Sequence, residues 1–395
     1  MSKVIRIALV MQGGSSWMGG TEYIKNIVFA LASLPSEIRN TFEVFLICSQ
    51  SSDKRLYLSI EPYLDGIFYK ENVLKPFKLG NSISWHLLKD LFFIREKFDF
   101  IYPNVAHYLP IPKSYVSGGW LADFQYKRMP EFFSAKDIVK MNKYFDDIIK
   151  CSSTIVLSSK NAEADIIEFF PNASKKARVL SFKTFPLSTW FEDDSIEIQR
   201  EYNLPDCFFI VSNQFWKHKN HLLVFEALRI LQEQLIYPVI VFTGSLNDHR
   251  QPDYSNQVLE LIHKFNLSRQ VYLLGLIPRT SQMKLMRRSL AVIQPSLFEG
   301  WSTVVEDAIC LGKPIILSDI PVHLEQNPPN AYFFDPSSAE SLATHLRESW
   351  ETLTPGPHLE QEAIAKENNR LNIEEFGLKF LDIVTDSLSS KRRCI

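Results

Sequence analysis

Two carboxylates, Glu299 and Asp307, stand with seven residues between them in "SLFEGWSTVVEDAICLGKP", residues 296–314. Ser302 is a good N-cap for "TVVEDAICL", and Gly312 followed by Pro314 is a stop signal, which predicts a helix of about two and a half turns. The mouth of such a helix offers backbone N–H groups and a positive dipole end, and Gly300 lets the backbone approach a ligand closely. An anion such as a phosphate suits Gly300, Trp301, Ser302 and Thr303. A carboxylate beside it would be repelled unless it accepted hydrogen bonds from hydroxyls. One acid is therefore suited to a sugar and the other to a ribose. The same spacing is also that of an ordinary strand–loop–helix with a capping Glu299 and a solvated Asp307.

A second patch, "SNQFWKHKNHLLVFEAL", puts Lys217 and Lys219 after an apolar strand pattern and before a helix, where point charges could meet phosphates. A solvated basic turn would read the same way. His218 and His221 beside them are expected as surface or capping groups rather than metal ligands. Near the N-terminus, "MQGGSSWMGGTEYIK" places Gly13, Gly14, Gly19 and Gly20 in what reads as a flexible loop between strand and helix. The spacing is not G-x-G-x-x-G, and "FLICSQSS" ends the second strand without an acid, which argues against a nicotinamide dehydrogenase. "GGWLADFQYKRMPEFFS" places Asp123 and Gln125 at the carboxyl end of a strand, where α/β ligands bind, with His107 in "YPNVAHYLP" in reserve.

The elements that must position these residues alternate along the chain. Short apolar runs ("VIRIALVM", "FEVFLICS", "DFIYPN", "SYVSGGWL", "STIVLSS") are separated by helical patterns, and a second series follows ("CFFIVSNQ", "YPVIVFTGS", "QVYLLGL", "LAVIQPS", "KPIILSD"). The expected fold class is α/β, with two Rossmann-like doubly wound domains facing a cleft. Strand patterning stops in "KTFPLSTWFEDDSIE", so a linker is placed near 184–197. The first domain is then 1–185 and the second 198–368, and 369–395 carries a C-terminal helix crossing back to the first domain plus a basic tail. A chain of 395 residues fits two compact domains. Lys and Arg number 43 against 45 Asp and Glu, so no global field points to nucleic acid. The five cysteines show no Cys-x-x-Cys spacing and read as reduced thiols, and the N-terminal apolar run is too short for an export signal. A cytoplasmic protein is expected, with the aromatic and basic "ISWHLLKDLFFIREKF" and the tail "SSKRRCI" as hints of contact with the inner membrane face. Cys394 is not four from the end, so prenylation is not signalled.

"FEGWSTVVEDAICLGKPIILSDIPVHLEQ" resembles the nucleotide-binding signature of the family 4 retaining glycosyltransferases, the glycosyl transferases group 1 of GT-B type. That family carries two glutamates with seven residues between, the first on the donor sugar and the second on the ribose. The resemblance assigns Glu299 to the sugar and, with one methylene less, Asp307 to the ribose, with Glu306 as the neighbouring alternative. Lys219 matches the family's diphosphate lysine, Gln214 stands where it has an arginine, and Lys217 is the substitute charge. "GGTE", with Gly19 and Gly20, is similar to the family's loop near the leaving phosphate and acceptor. Ala122 replaces a frequent histidine, which moves the polar role to Asp123 and His107. The implied reaction needs no cofactor: a GDP- or UDP-sugar donor, a glycan or lipid-linked acceptor and retention of anomeric configuration. No Asp-x-Asp is present, so metal independence is expected. A same-fold 2-epimerase or phosphorylase, and a catalytically silent nucleotide-sugar-binding protein, are the alternatives.

Overall fold

The computed structural model describes residues 4–14, 17–70, 97–105, 111, 115–248 and 250–392. Residues 83–96 of the expected membrane-contact helix, His107, and residues 393–395 of the tail, with Cys394, lie outside these. Contacts divide the chain into two units, one of 1–124, 135–185 and 371–395, the other of 125–134 and 186–370.

In the first unit the described strands are β1 Ile5–Val10, β2 Phe42–Cys48, β3 Gly66–Tyr69, β4 Phe100–Tyr102, β5 Val116–Leu121, β6 Thr154–Leu157 and β7 Ala177–Val179. They form one parallel sheet in the order β3-β2-β1-β4-β5-β6-β7. Ile7, Ala8, Leu9 and Val10 are fully buried, as a strand covered on both faces requires, which is why this run reads as continuously apolar. The helix Met18–Ala32 follows β1 and buries Tyr23, Ile24, Ile27, Val28 and Leu31. Gly19 and Gly20, expected in a flexible loop, are instead in the first turn of this helix. The loop proper turns at Gly13 (φ +82°), where a Cβ would stand 2.4 Å from the Trp17 carbonyl oxygen. The second part of the helix Leu359–Arg392 groups with this unit and sets Phe380 edge-on to Tyr102, ring centroids 5.4 Å apart.

The second unit is built from β8 Phe209–Ser212, β9 Ile240–Thr243, β10 Val271–Gly275, β11 Val292–Gln294, β12 Ile315–Ser318 and β13 Ala331–Phe334, all parallel, in the order β10-β9-β8-β11-β12-β13. Val224, Phe225, Leu228 and Leu231 of the helix His221–Glu233 pack one face of the sheet with Leu342 and Leu346, while Val305, Ala308, Met283 and Met286 pack the other. Two expected boundaries change. Residues 125–134, expected within 1–185, group with the second unit, because Gln125 accepts a hydrogen bond from Arg250 Nη1 (3.1 Å) and Phe133 lies 5.1 Å under that guanidinium. The expected linker is ordered in its second half: Trp190 is buried in the second core and the helix Ser195–Glu201 has begun. Strands β3, β7 and β13 have no counterpart in the sequence reading. Each is a three- or four-residue edge strand, too short to show a pattern.

Candidate functional site

The order of the second sheet reverses between β8 and β11, and in open parallel sheets ligands bind beyond the carboxyl ends of the strands at such a point. Asn213, just past β8, donates through Nδ2 to Gln294 Oε1 at the end of β11 (2.8 Å). Gln294 Nε2 in turn donates to Glu299 Oε1 (2.7 Å), as do Ser296 Oγ (2.7 Å) and Lys219 Nζ (2.5 Å). Three donors on a single oxygen fix the carboxylate, whose residue is 9% exposed. Among the described residues Oε2 of Glu299 accepts no hydrogen bond and stays available to a ligand's hydroxyl. Lys219 ends a tight turn, Lys217–Lys219, closed by Asn220 in the left-handed region (φ +58°), a conformation asparagine tolerates. Lys219 and Glu299 are 80 residues apart in the chain.

Asp307 is fully buried rather than solvated, because Arg279 grips both of its oxygens, Nη1 to Oδ2 at 2.7 Å and Nη2 to Oδ1 at 2.5 Å. Bidentate pairing of this kind is the strong form of an ion pair. Arg279 Nη1 also donates to Gln282 (3.1 Å), whose Nε2 reaches Ser212 Oγ, itself paired with Thr243 Oγ1 (2.8 Å). The guanidinium lies 5.4 Å from the Trp190 ring centroid. Arg279 was not singled out from the sequence. Its signal is the "IPRTSQ" stretch, in which Pro278 caps the helix Arg279–Arg288 just after β10. Glu306, the neighbouring alternative, is 2% exposed and holds the loop: its Oε1 accepts from Trp301 Nε1 (2.9 Å) and Gln326 Nε2 (3.2 Å). Gln326 also pairs with the backbone of Ser302 in both directions, and Ser302 Oγ caps the helix Thr303–Cys310 at Val305 N (3.4 Å). Gly300, Trp301 and Ser302 thus form a loop, leading into Thr303 at the start of the helix, that is braced from behind by Glu306 and Gln326.

The remaining candidates fall elsewhere. Lys217 is exposed, its ammonium 5.7 Å from the Phe132 ring centroid, so the two lysines face different partners. Asp123 follows β5 in the first unit, half-buried beside Ala122 in the wall of a cavity. Gly19 and Gly20 also belong to that unit. His218 and His221 are not surface groups: both are buried, and His221 stacks on Phe215 at 4.1 Å. Burial, with the Lys219 charge adding to it, pushes the His221 imidazole down to about 3 and holds His218 well below its usual value. Burial likewise lowers His323 to about 4.

These three imidazoles carry a stability prediction. Their folded values lie below the unfolded value, so the unfolded chain takes up protons first as pH falls. No cost arises well above ~6.5, and below it each histidine removes up to ~1.4 kcal/mol per pH unit until its folded value is reached. Urea midpoints should therefore drop steeply between about pH 6.5 and 4.5, and substituting His221 by Phe should flatten that slope.

An uncharacterized glycosyltransferase of Methanocaldococcus jannaschii is 22% identical over 203 residues, 51% of this chain and 47% of that protein, so the match spans about half of the relative's length. Anabaena HepE, solved in complex with UDP and glucose, superposes with a TM-score of 0.67 at 16% identity over 96% of this chain and 99% of that one. A glycosyltransferase from Rickettsia africae gives 0.65 at 15% identity over 98% and 99%. These likenesses show the fold, which is the GT-B type that the signature resembles. The family model described as glycosyl transferases group 1 matches residues 194–368. Lys219, Arg279, Glu299 and Asp307 all lie in the segment that this family model matches.

Proposed function

We propose that the chain is a retaining, metal-independent glycosyltransferase that moves a hexosyl-type sugar from a GDP- or UDP-sugar to a hydroxyl of a glycan or lipid-linked acceptor. The setting is synthesis of a polysaccharide or glycoconjugate in the cytoplasm, in peripheral contact with the inner membrane face. Among the described residues no helix is long and apolar enough to cross a membrane. The observation that carries this reading is the Lys219–Glu299 pair at the strand-order reversal, with one carboxylate oxygen anchored and the other open. Glu299 would hold donor-sugar hydroxyls and offset positive charge developing at the anomeric carbon, and Lys219 would meet the leaving diphosphate. Asp307, held by Arg279, would accept from the ribose, and Gly300 to Thr303 would line the diphosphate. In the first unit, Asp123, with His107 in reserve, would take the donor-sugar role of the histidine that Ala122 replaces, and Gly19 and Gly20 would approach the leaving phosphate and acceptor.

Chemically, the bond from the anomeric carbon to the leaving phosphate oxygen breaks as the acceptor oxygen bonds on the same face of the sugar. The acceptor proton passes to the departing phosphate, so no protein nucleophile is needed. The Anabaena relative was solved with UDP, which makes UDP-glucose the first donor to test.

Incubating the full chain with UDP- and GDP-hexoses should release the nucleoside diphosphate slowly without acceptor. The rate should be the same after exhaustive chelation. Turnover lost in EDTA and restored by manganese would refute metal independence, and absence of any release from the whole panel would refute the transferase reading.

A further inference from the structure

Gln214 stands where the resembling family has an arginine, and another loop of the second unit passes directly over it. The loop after β9 turns at Gly244 (φ +124°), where a Cβ would run into the Asn213 carbonyl and stand 2.9 Å from Gln214 Cα. Phe215 N donates to Ser245 O (2.9 Å), so this loop is bonded to the start of the turn that carries Lys217 and Lys219. Six residues beyond Gly244 it presents Arg250.

The Arg250 guanidinium is enclosed on both faces, 5.0 Å from the Trp216 ring centroid and 5.1 Å from that of Phe133. Nη1 donates to Gln125 Oε1 (3.1 Å), and Nη2 lies 3.5 Å from His218 Nδ1. A guanidinium only donates, so the imidazole nitrogen is the acceptor; burial, with the Lys219 and Arg250 charges adding to it, keeps His218 neutral for that role. Asp248, 4% exposed, fixes the loop by accepting from Arg250 N (3.0 Å) and Lys217 N (3.2 Å), and its carboxylate is 3.6 Å from Arg250 Nε. One N–H on Nη1 and one on Nη2 are left without an acceptor among the described residues, and 15% of the side chain is exposed. Two such groups on a planar fork suit two oxygens of a phosphate.

The other cations of the turn are committed or face elsewhere. Lys219 is paired with Glu299, and Lys217 is exposed with its ammonium near Phe132. His218 links Arg250 to the Glu299 loop, because its carbonyl accepts from Leu297 N (2.8 Å).

We infer that Arg250 supplies the second positive charge of the diphosphate site, taking from the loop after β9 the part that Gln214 leaves open. This rests on the nucleotide-sugar reading and adds to it a phosphate-binding residue from a different strand end than the two lysines. Trp216 and Phe133 hold the guanidinium in place before a ligand arrives, which lowers the ordering needed on binding.

Calorimetry of the full chain with UDP and with GDP, and saturation-transfer NMR with uridine and guanosine, test it. For whichever diphosphate binds, Arg250→Ala should weaken affinity about tenfold to a hundredfold, as expected for a lost charge-assisted contact. The matching nucleoside, which has no phosphate, should bind as it does to the wild type. Arg250→Lys, which keeps the charge without the fork, should recover part of the loss, and Arg250→Gln, which keeps hydrogen bonding without the charge, should not. Equal diphosphate affinity in wild type and Arg250→Ala would overturn the inference, and so would a nucleoside weakened as much as the diphosphate, which would make Arg250 a brace for the turn alone. Either result leaves the donor reading standing. Binding of neither diphosphate to the wild type would refute the donor reading and this inference with it.

Discussion

Replacing Glu299 by Gln should lower kcat by about 10²–10³-fold while the donor KM changes only a few-fold. The substitution keeps size and one hydrogen-bonding oxygen, and removes the negative charge that Lys219, Gln294 and Ser296 now steady on a single atom. That charge matters most where the anomeric carbon is most positive, so its loss should weigh on the transition state more than on the bound donor, a deficit of ~3–4 kcal/mol. The amide cannot neutralise Lys219, whose side chain is 14% exposed, so unfolding by urea should be compared alongside to separate a weakened fold from weakened chemistry. Initial rates across donor concentrations decide the matter. An unchanged kcat with a raised KM would make Glu299 a ground-state sugar contact only.

The Asp307–Arg279 pair should fail in two readouts at once. Asp307→Ala should raise the donor KM tenfold to a hundredfold, ~1.5–3 kcal/mol for a lost charge-assisted bond to the ribose, with kcat little altered. It should also cost ~2–4 kcal/mol of stability, because Arg279 loses the carboxylate it grips with both nitrogens and keeps only weaker contacts such as that to Gln282, while about a fifth of its side-chain surface remains in water (21%). Arg279→Ala should cost more stability, ~3–5 kcal/mol, since it removes the bidentate guanidinium from a carboxylate that is 0% exposed. The double variant should be less damaged than the sum of the two, by ~1–3 kcal/mol of coupling. Urea midpoints of the four proteins, with donor KM for each, measure this cycle, and strictly additive costs would mean that the pair does not act as a unit. Glu306→Ala is no neutral control here. It releases Trp301 and Gln326, and should loosen the loop that both acids flank.

Buried strands with both faces covered must be continuously apolar, so runs such as "RIALV" and "CFFIVS" fix an α/β class with parallel sheets from the sequence alone. The same holds for the helix opened by Ser302 and stopped at Gly312, whose caps are local and whose observed span is Thr303–Cys310. The spacing of Glu299 and Asp307, and the place of Lys219 after a strand, were legible for the same reason: each is a matter of a few consecutive residues. Only the tertiary structure decided what those charges meet. Lys219 reaches Glu299 across 80 residues and Arg279 reaches Asp307 across 28, through the strand order that sets β8 beside β11. Gly19 and Gly20 read as loop but continue a helix, because burial of Tyr23 and Ile24 one turn later outweighs glycine's weak propensity. The histidines read as surface because "KHKNH" is polar in sequence. The turn at Asn220 folds it inward over Phe215, where His221 is desolvated and stays neutral. The partner of a charge and the depth of a side chain are sums over segments brought together by the sheet, whereas propensities and caps depend only on neighbours along the chain.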